Sequence, residues 1–249
     1  MTAFRIRFGQ RELAPSWLMT LLTLALLPLF IGLGRWQWHR GDARQTLWDA
    51  FDAGAIPAQP LGARSTADLQ RFSRIAVSGR WDGERQFLLD NRTHDGKAGY
   101  EVLTPLRLDD GRWLLVNRGW VPFSGFRDRL PDVALPTPAQ PSVDITGRLD
   151  ELPSAGLSGG RAAPAAGGTW PRVTAFPRTA ELEAALGGQK LEPQLLLLDP
   201  QSGSGYVRAW RPPGMEPMRH WSYAVQWWSF AVLLLILYVI LNLKKRASP

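Results

Sequence analysis

Residues 220–243 read HWSYAVQWWSFAVLLLILYVILNL, and apart from any proton on His220 this run carries no charge between Arg219 and Lys244. A helix crossing a hydrocarbon core of roughly 30 Å needs about 20 such residues, more than most soluble core helices offer. Trp221, Tyr223, Trp227 and Trp228 gather at one end of the run, where amphipathic rings form an interface belt. A second uncharged segment, SWLMTLLTLALLPLFIGLG, spans residues 16–34 and gives a first span over 16–36. Its Pro28 is tolerable because neighbouring helices re-satisfy the freed carbonyl, and Gly32 and Gly34 offer close approach to a partner helix. The chain therefore divides into two membrane anchors and the long segment between them.

Arg5, Arg7 and Arg11 precede the first span as in a signal peptide, but the GRWQWHR that follows has no small-residue cleavage site, so the span reads as an uncleaved anchor. Long loops translocate largely regardless of charge, leaving the short basic tails to set orientation. Residues 1–15 and 244–249, the latter with Lys244, Lys245 and Arg246, then lie in the cytoplasm. Residues 37–219 form the extracytoplasmic domain. No transit-peptide pattern is present, which favours a bacterial inner membrane and a periplasmic location for that domain.

The 29 basic against 22 acidic residues would suit nucleic acid, but the bases are scattered and flank apolar runs, and no nucleic-acid-binding motif is present. They read as contacts to membrane lipid and anions. The absence of cysteine excludes disulfides, thiolate metal sites and covalent c-type haem attachment.

After the first span, RGDARQTLWDAFDAG places Leu47, Ala50 and Phe51 at helical spacing, predicting a short helix leaving the membrane. Extended stretches follow at 72–81, 84–92, 100–108, 112–122 and 142–151, rich in β-branched, aromatic and leucine residues. Asp82-Gly83 and Asp110-Gly111 read as hairpin turns between neighbours, so the expected domain is an antiparallel β-rich meander, barrel-like or strongly bent. Residues 153–169 are mostly Gly, Ala, Ser and Pro and read as a surface loop. A short helix over 179–186, with Thr179 as N-cap, precedes QLLLLDP, a buried strand. The fold class is thus membrane α + β, two transmembrane helices flanking a β-rich domain with short helices.

Among side chains able to carry chemistry, His94 in NRTHDGKAG reads as a solvated turn residue. His220 is different, because an ionisable ring at the mouth of a membrane helix needs a satisfied or functional partner. The helical period puts Tyr223, Ala224, Trp227 and Ala231 on its face. A ligand, aromatics and small residues in one stripe suit a flat metal-bearing ring: imidazole ligates iron and Arg219 pairs with propionates. The alternative is an interfacial histidine that merely anchors the helix. His39, in WQWHR beyond the other span, is a candidate second axial ligand facing His220. Met215, Met218 and His220 also offer donors suited to Cu(I). In VNRGWVP (116–122), Asn117, Arg118 and Trp120 stand at an expected strand end, either binding an anion or partner or simply terminating the strand. No Ser-His-Asp or comparable grouping appears, so no enzyme is expected.

Four blocks, LGRWQWHR (33–40), FSRIAVSGRW (72–81), GYEVLTPLRLDDGRWLLVNRGWVP (99–122) and RHWSYAVQWWSFA (219–231), resemble in order and spacing the bacterial surfeit-locus cytochrome c oxidase assembly proteins. The resemblance covers nearly the whole chain; the loop at 153–169 departs from it. It implies a non-enzymatic role in maturing haem-copper terminal oxidases, with transient binding of haem a and its placement in the catalytic subunit. The catalytic subunit and haem a synthase are the partners it implies. It also implies that His220 ligates the haem iron, and that Gly119 and Trp120 within NRGW are structural and functional positions. Trp36, Gln37, Arg40 and Gln226 share the matching blocks and are taken as motif residues with them. A cofactor-free scaffold and Cu(I) delivery remain the alternatives.

Overall fold

The computed structural model describes residues 6–8, 11–53, 57–135, 142–155, 159–202 and 206–245. In chain order they form β1 (Ile6–Phe8), β2 (Arg11–Leu13), α1 (Trp17–Ala53), β3 (Gln59–Pro60), a 3-10 turn at Thr66–Asp68, β4 (Arg74–Trp81), β5 (Phe87–His94), β6 (Lys97–Leu108) and β7 (Trp113–Pro122). Then come β8 (Val143–Asp150), β9 (Arg172–Thr174), α2 (Thr179–Ala185), β10 (Leu195–Leu198), α3 (Pro217–Asn242) and β11 (Leu243–Lys245). Arg5, Arg246 and residues 156–158 of the expected loop lie outside the described residues. The chain separates into two compact units, one made of its two ends up to Ala50 and from Pro212, the other of Phe51–Arg211.

The first unit is a helix pair. Both α1 and α3 are long and apolar enough to cross a membrane. The helix expected to leave the membrane is no separate element: α1 runs unbroken through Pro28 to Ala53, because nothing between Gly34 and Ala53 breaks the helical pattern. The compact β unit accordingly begins at Phe51 and ends at Arg211, inside the 37–219 read from the ends of the apolar runs. Gly34 lies under the indole of Trp228 and Gly41 under that of Trp221, so close that a Cβ would stand 2.3 and 2.4 Å from the rings. Trp38 packs against both indoles, its ring centre 5.6 Å from that of Trp228 and 6.0 Å from that of Trp221. Small residues thus bring the helices together, as expected, but they are Gly34 and Gly41; nothing lies within 4 Å of a Cβ at Gly32. At the other end of the pair, β2 joins β1 and β11 in a three-stranded antiparallel sheet, so the segments flanking the two helices come together.

The second unit is a closed barrel. β4 pairs with β8, β8 with β10, β10 with β7, β7 with β6, and β6 returns to β4 through Gly79↔Leu108 to Trp81↔Leu106. The twelve residues of β6 make closure possible, since their first part pairs with β5 and their last with β4 on the same edge. Alternate residues point inward. Ile75 and Val77, Leu106 and Leu108, Leu114 and Val116, Ile145 and Leu149, and Leu196 and Leu198 fill the interior, two from each strand. Each such side chain, fully buried, is worth roughly 1.5–3 kcal/mol. Leu195 and Leu197 face the other way, into a layer closed by Leu182 and Leu186 of the α2 segment, so the apolar run of β10 is buried on both sides. A third cluster, with Leu88, Tyr100, Val102, Val121 and Val133, covers the β5–β6 end.

The barrel-like β-rich reading is met, whereas its simple meander is not. β10 runs parallel to β7, β3 to β4 and β9 to β5. Asp82-Gly83 joins no hairpin, since β4 and β5 do not pair; the Asp82 carboxylate instead accepts from Arg85 N and Nε at 3.1 and 2.6 Å and turns a corner. Asp110-Gly111 does join β6 to β7. A further hairpin joins β5 to β6 at Asp95-Gly96, where φ angles of 48° and 74° suit a tight turn with both central residues left-handed. Thr179 is the first helical residue of α2 rather than its cap; Arg178 caps, its N–H donating to Glu181 at 2.9 Å.

A buried carboxylate ties the 3-10 turn to the barrel. Glu192 accepts from Ser65 Oγ (2.8 Å), Thr66 N (2.8 Å), Thr66 Oγ1 (3.1 Å) and Arg112 Nη1 (2.9 Å). Burial works to raise its pKa, but these donors outweigh it and hold the carboxyl below its usual range. A folded value below the unfolded one means stability that is present above the unfolded pKa and lost as pH falls through the folded one. Thermal unfolding of the full chain is expected to shift downward on acidification through and below the usual glutamate range. Glu192→Gln should cost about 1.5–3 kcal/mol at neutral pH and flatten that part of the profile.

Candidate functional site

The aromatic end of the helix pair organises itself around one ring. His220, in the first turn of α3 and half-buried, has Nδ1 2.9 Å from Gln37 Oε1 of α1. In the tautomer with the proton on Nδ1, that nitrogen donates to the amide oxygen and Nε2 keeps its lone pair. Among the described residues no hydrogen bond engages Nε2. That is the arrangement in which an outer-shell acceptor orients a metal-ligating histidine. Trp221 Nε1 donates to Asp42 Oδ1 at 3.2 Å, and Trp227 stacks on Phe30 with ring centres 5.9 Å apart. Ala224 and Ala231 are buried in the pair, while Tyr223 remains 45% exposed.

The stripe read from the sequence is therefore split. Ala224, Trp227 and Ala231 serve helix packing and Tyr223 lies on the open side. Arg219, Trp36, Arg40 and Gln226 are exposed as well. His39 does not meet His220; its Nε2 accepts from Arg35 Nε one turn earlier on α1, at 3.4 Å. The face that carries Gly34 and Gly41 carries Gln37 and not His39, which is turned about 200° from Gln37 by the 3.6-residue period. That same glycine spacing is the signal that could have picked out Gln37. Met215 and Met218 are exposed, and among the described residues no three His, Cys, Asp or Glu side chains gather as a metal site. A single imidazole with its second nitrogen held and aromatic surface beside it fits a haem ligand better than a chelating metal site.

In the β unit, NRGW is not a strand end but a bulge inside β7. Glu101 pairs with Trp120 and Leu103 with Asn117, so Arg118 and Gly119 are accommodated opposite Val102. Such an insertion bends the strand and re-aims its side chains. Asn117 Nδ2 donates to Glu101 Oε2 at 2.7 Å, and its Oδ1 accepts from Gly119 N at 3.1 Å. Burial raises the pKa of Glu101, against Arg92 and Asn117. Arg118, 2% exposed, donates to Gln86 Oε1 at 2.9 Å and Val133 O at 3.0 Å and lies 4.9 Å from the centre of the Tyr206 ring. Trp120 hydrogen-bonds through its backbone to Val207 in both directions and packs beside His94, ring centres 5.4 Å apart. The motif is thus a buried polar knot joining β5, β6 and β7 to the Tyr206–Arg208 segment.

Along the chain two membrane-length helices flank a β domain. A model of the SURF1 family matches residues 24–232, from within the first helix through the barrel and into α3. The chain belongs to the SURF1 family. An uncharacterized SURF1-like protein of Mycobacterium bovis is 29% identical over 233 residues, 89% of this chain and 81% of its own length. A Mycobacterium tuberculosis counterpart matches equally. A SURF1-like protein of Dictyostelium discoideum is 33% identical over 100 residues, 36% of this chain and 37% of its own.

SURF1 proteins are cytochrome oxidase assembly factors rather than catalysts, and the two apolar helices make this one a membrane protein. The matched range includes both Gln37 with His220 and the NRGW bulge. Sequence reading picked out all of these residues, but not that Gln37 is the partner of His220 nor that NRGW is a buried bulge.

Proposed function

We propose that this SURF1-family chain binds haem a at the aromatic end of its helix pair, with His220 as axial ligand, and passes it to the catalytic subunit of a haem-copper oxidase. The single observation that carries the reading is the His220–Gln37 hydrogen bond at 2.9 Å, which leaves Nε2 to the iron. Tyr223, on the open side, would lie against the macrocycle, Trp227 would back the site from its stack on Phe30, and Arg219 would meet a propionate. When bound, the haem supplies no reaction here; it is cargo. One axial histidine on a half-buried ring suits release, since a carrier that holds too tightly cannot deliver. On this reading the protein sits in a bacterial inner membrane, with both termini cytoplasmic and the β unit periplasmic. Haem a synthase is then the source and the oxidase catalytic subunit the recipient.

The test is genetic and spectroscopic. In a strain lacking this protein, the oxidase recovered after complementation with wild type should regain its haem a, and with His220→Ala it should be depleted. Full recovery with His220→Ala would favour a scaffold that touches no cofactor. Gln37→Leu keeps the ligand but removes its acceptor, and is expected to weaken haem binding by about 10- to 100-fold, the usual effect of losing an outer-shell partner. A haem titration of the purified variant reads this directly.

A further inference from the structure

The β unit contains a pocket of about 340 Å³ lined by Phe51, Arg74, Arg148, Asp199, Arg208 and Trp210 among others, and every lining residue belongs to that unit. Arg74 on β4 and Arg148 on β8 are direct cross-strand partners, a like-charge pairing that ordinarily destabilises a sheet. Among the described residues the lining holds one carboxylate, Asp199. Its Oδ2 already accepts from Arg74 Nε and Nη2, at 3.2 and 2.5 Å, and from Thr146 Oγ1 at 2.5 Å.

The other two guanidiniums are anchored by carbonyls. Arg148 lies 4.2 Å from the centre of the Phe51 ring and donates to Phe51 O. Arg208, 8% exposed, donates to Arg118 O at 2.7 Å, Pro200 O at 3.3 Å and Ser202 O. Burial presses the pKa of Arg148 downward, with Asp199 and, to a lesser extent, Asp52 beyond the lining opposing the shift and Arg74 adding to it.

Three arginines thus surround one committed carboxylate in a concave site, where low-dielectric walls focus the field. The guanidinium fork matches phosphate oxygens in pairs, and Phe51 and Trp210 give apolar wall for an organic body. The indole of Trp210 is itself fixed by donation to Leu198 O at 2.8 Å. We infer that this pocket binds the phosphate group of an organic phosphate, either a soluble phosphomonoester or a phospholipid headgroup. His220 is not among the residues that line it, and the inference does not depend on the haem reading.

Calorimetric titration of the full chain in detergent tests it, with glycerol 3-phosphate, dihexanoyl phosphatidylglycerol and acetate as probes. At least one phosphate should bind saturably at one site, with acetate much weaker. Binding of both phosphates identifies the phosphate group itself as sufficient; binding of the lipid alone identifies a headgroup. Arg148→Gln should weaken that binding at least about tenfold, and Arg148→Lys less. Gln201→Glu, which sets a carboxylate at the pocket wall, should weaken it similarly even if Arg148→Gln fails to fold. Absence of phosphate binding, acetate binding as strongly as phosphate, or undiminished affinity in Gln201→Glu would overturn the assignment.

Discussion

Gly119→Val is expected to destabilise the β unit by about 3–5 kcal/mol, a large part of the roughly 5–15 kcal/mol that holds a domain together. Gly119 has φ +126°, and a Cβ there would stand 2.7 Å from Tyr206 Cβ and 2.8 Å from Val207 O. Two separate costs therefore add: a backbone conformation that side chains rarely adopt, and an overlap with backbone that cannot step aside. The Val207 carbonyl is held by Trp120 N at 2.8 Å, so relief would break the bridge between β7 and the Tyr206–Arg208 segment. Thermal unfolding of the full chain in detergent, followed by circular dichroism, should show a loss of well over 5 °C or no folded β signal. Gly119→Ala should fall between the two.

Arg118→Ala is expected to cost about 2–4 kcal/mol. Among the described residues no carboxylate pairs with the guanidinium, which donates to Gln86 Oε1 and Val133 O. Both acceptors keep a second donor, Thr104 Oγ1 at 2.7 Å for the first and Gln86 Nε2 at 3.0 Å for the second. The loss is therefore mainly of packed volume beside Tyr206. Burial pushes the pKa of Arg118 down, with Tyr206 pulling the other way, so the charge itself is held at a cost. Arg118→Met keeps the stem and removes the charge. Since apolar groups of similar volume often replace buried ions with little loss, it should lie within about 1 kcal/mol of wild type. If Met were as damaging as Ala, the charge and not the volume would be what the site requires.

The two spans were legible because an uncharged run of membrane length has few other uses, and the β-rich character because five stretches rich in β-branched, aromatic and leucine residues stand between turn signals. Those stretches are β4 to β8 of the structure. What escaped was set at a distance. Whether Asp82-Gly83 makes a hairpin depends on whether its flanking strands pair, and here the end of β6 takes β4 while its beginning takes β5. The bulge at Arg118-Gly119 is a matter of register against β6, and the local sequence of NRGW reads equally well as a strand end.

The candidate ligand was legible for a local reason: His220 is an ionisable side chain at the head of an uncharged run. Its neighbour was not, because being close in sequence to the end of the first span does not fix helical phase. Gln37 shares the Gly34–Gly41 face and His39 does not. The arginine pocket escaped for the same cause as the bulge, since Arg74, Arg148 and Arg208 are brought together only by the pairing of β4 with β8 and the return of the chain after β10.

The haem-carrier reading is tested most directly by the absorption spectrum and pyridine haemochrome of the protein purified from cells that make haem a, beside His220→Ala. A haem a spectrum in the wild type that is lost or shifted in the variant is the predicted result. Colourless wild-type protein despite available haem a, or an identical spectrum in His220→Ala, would contradict it.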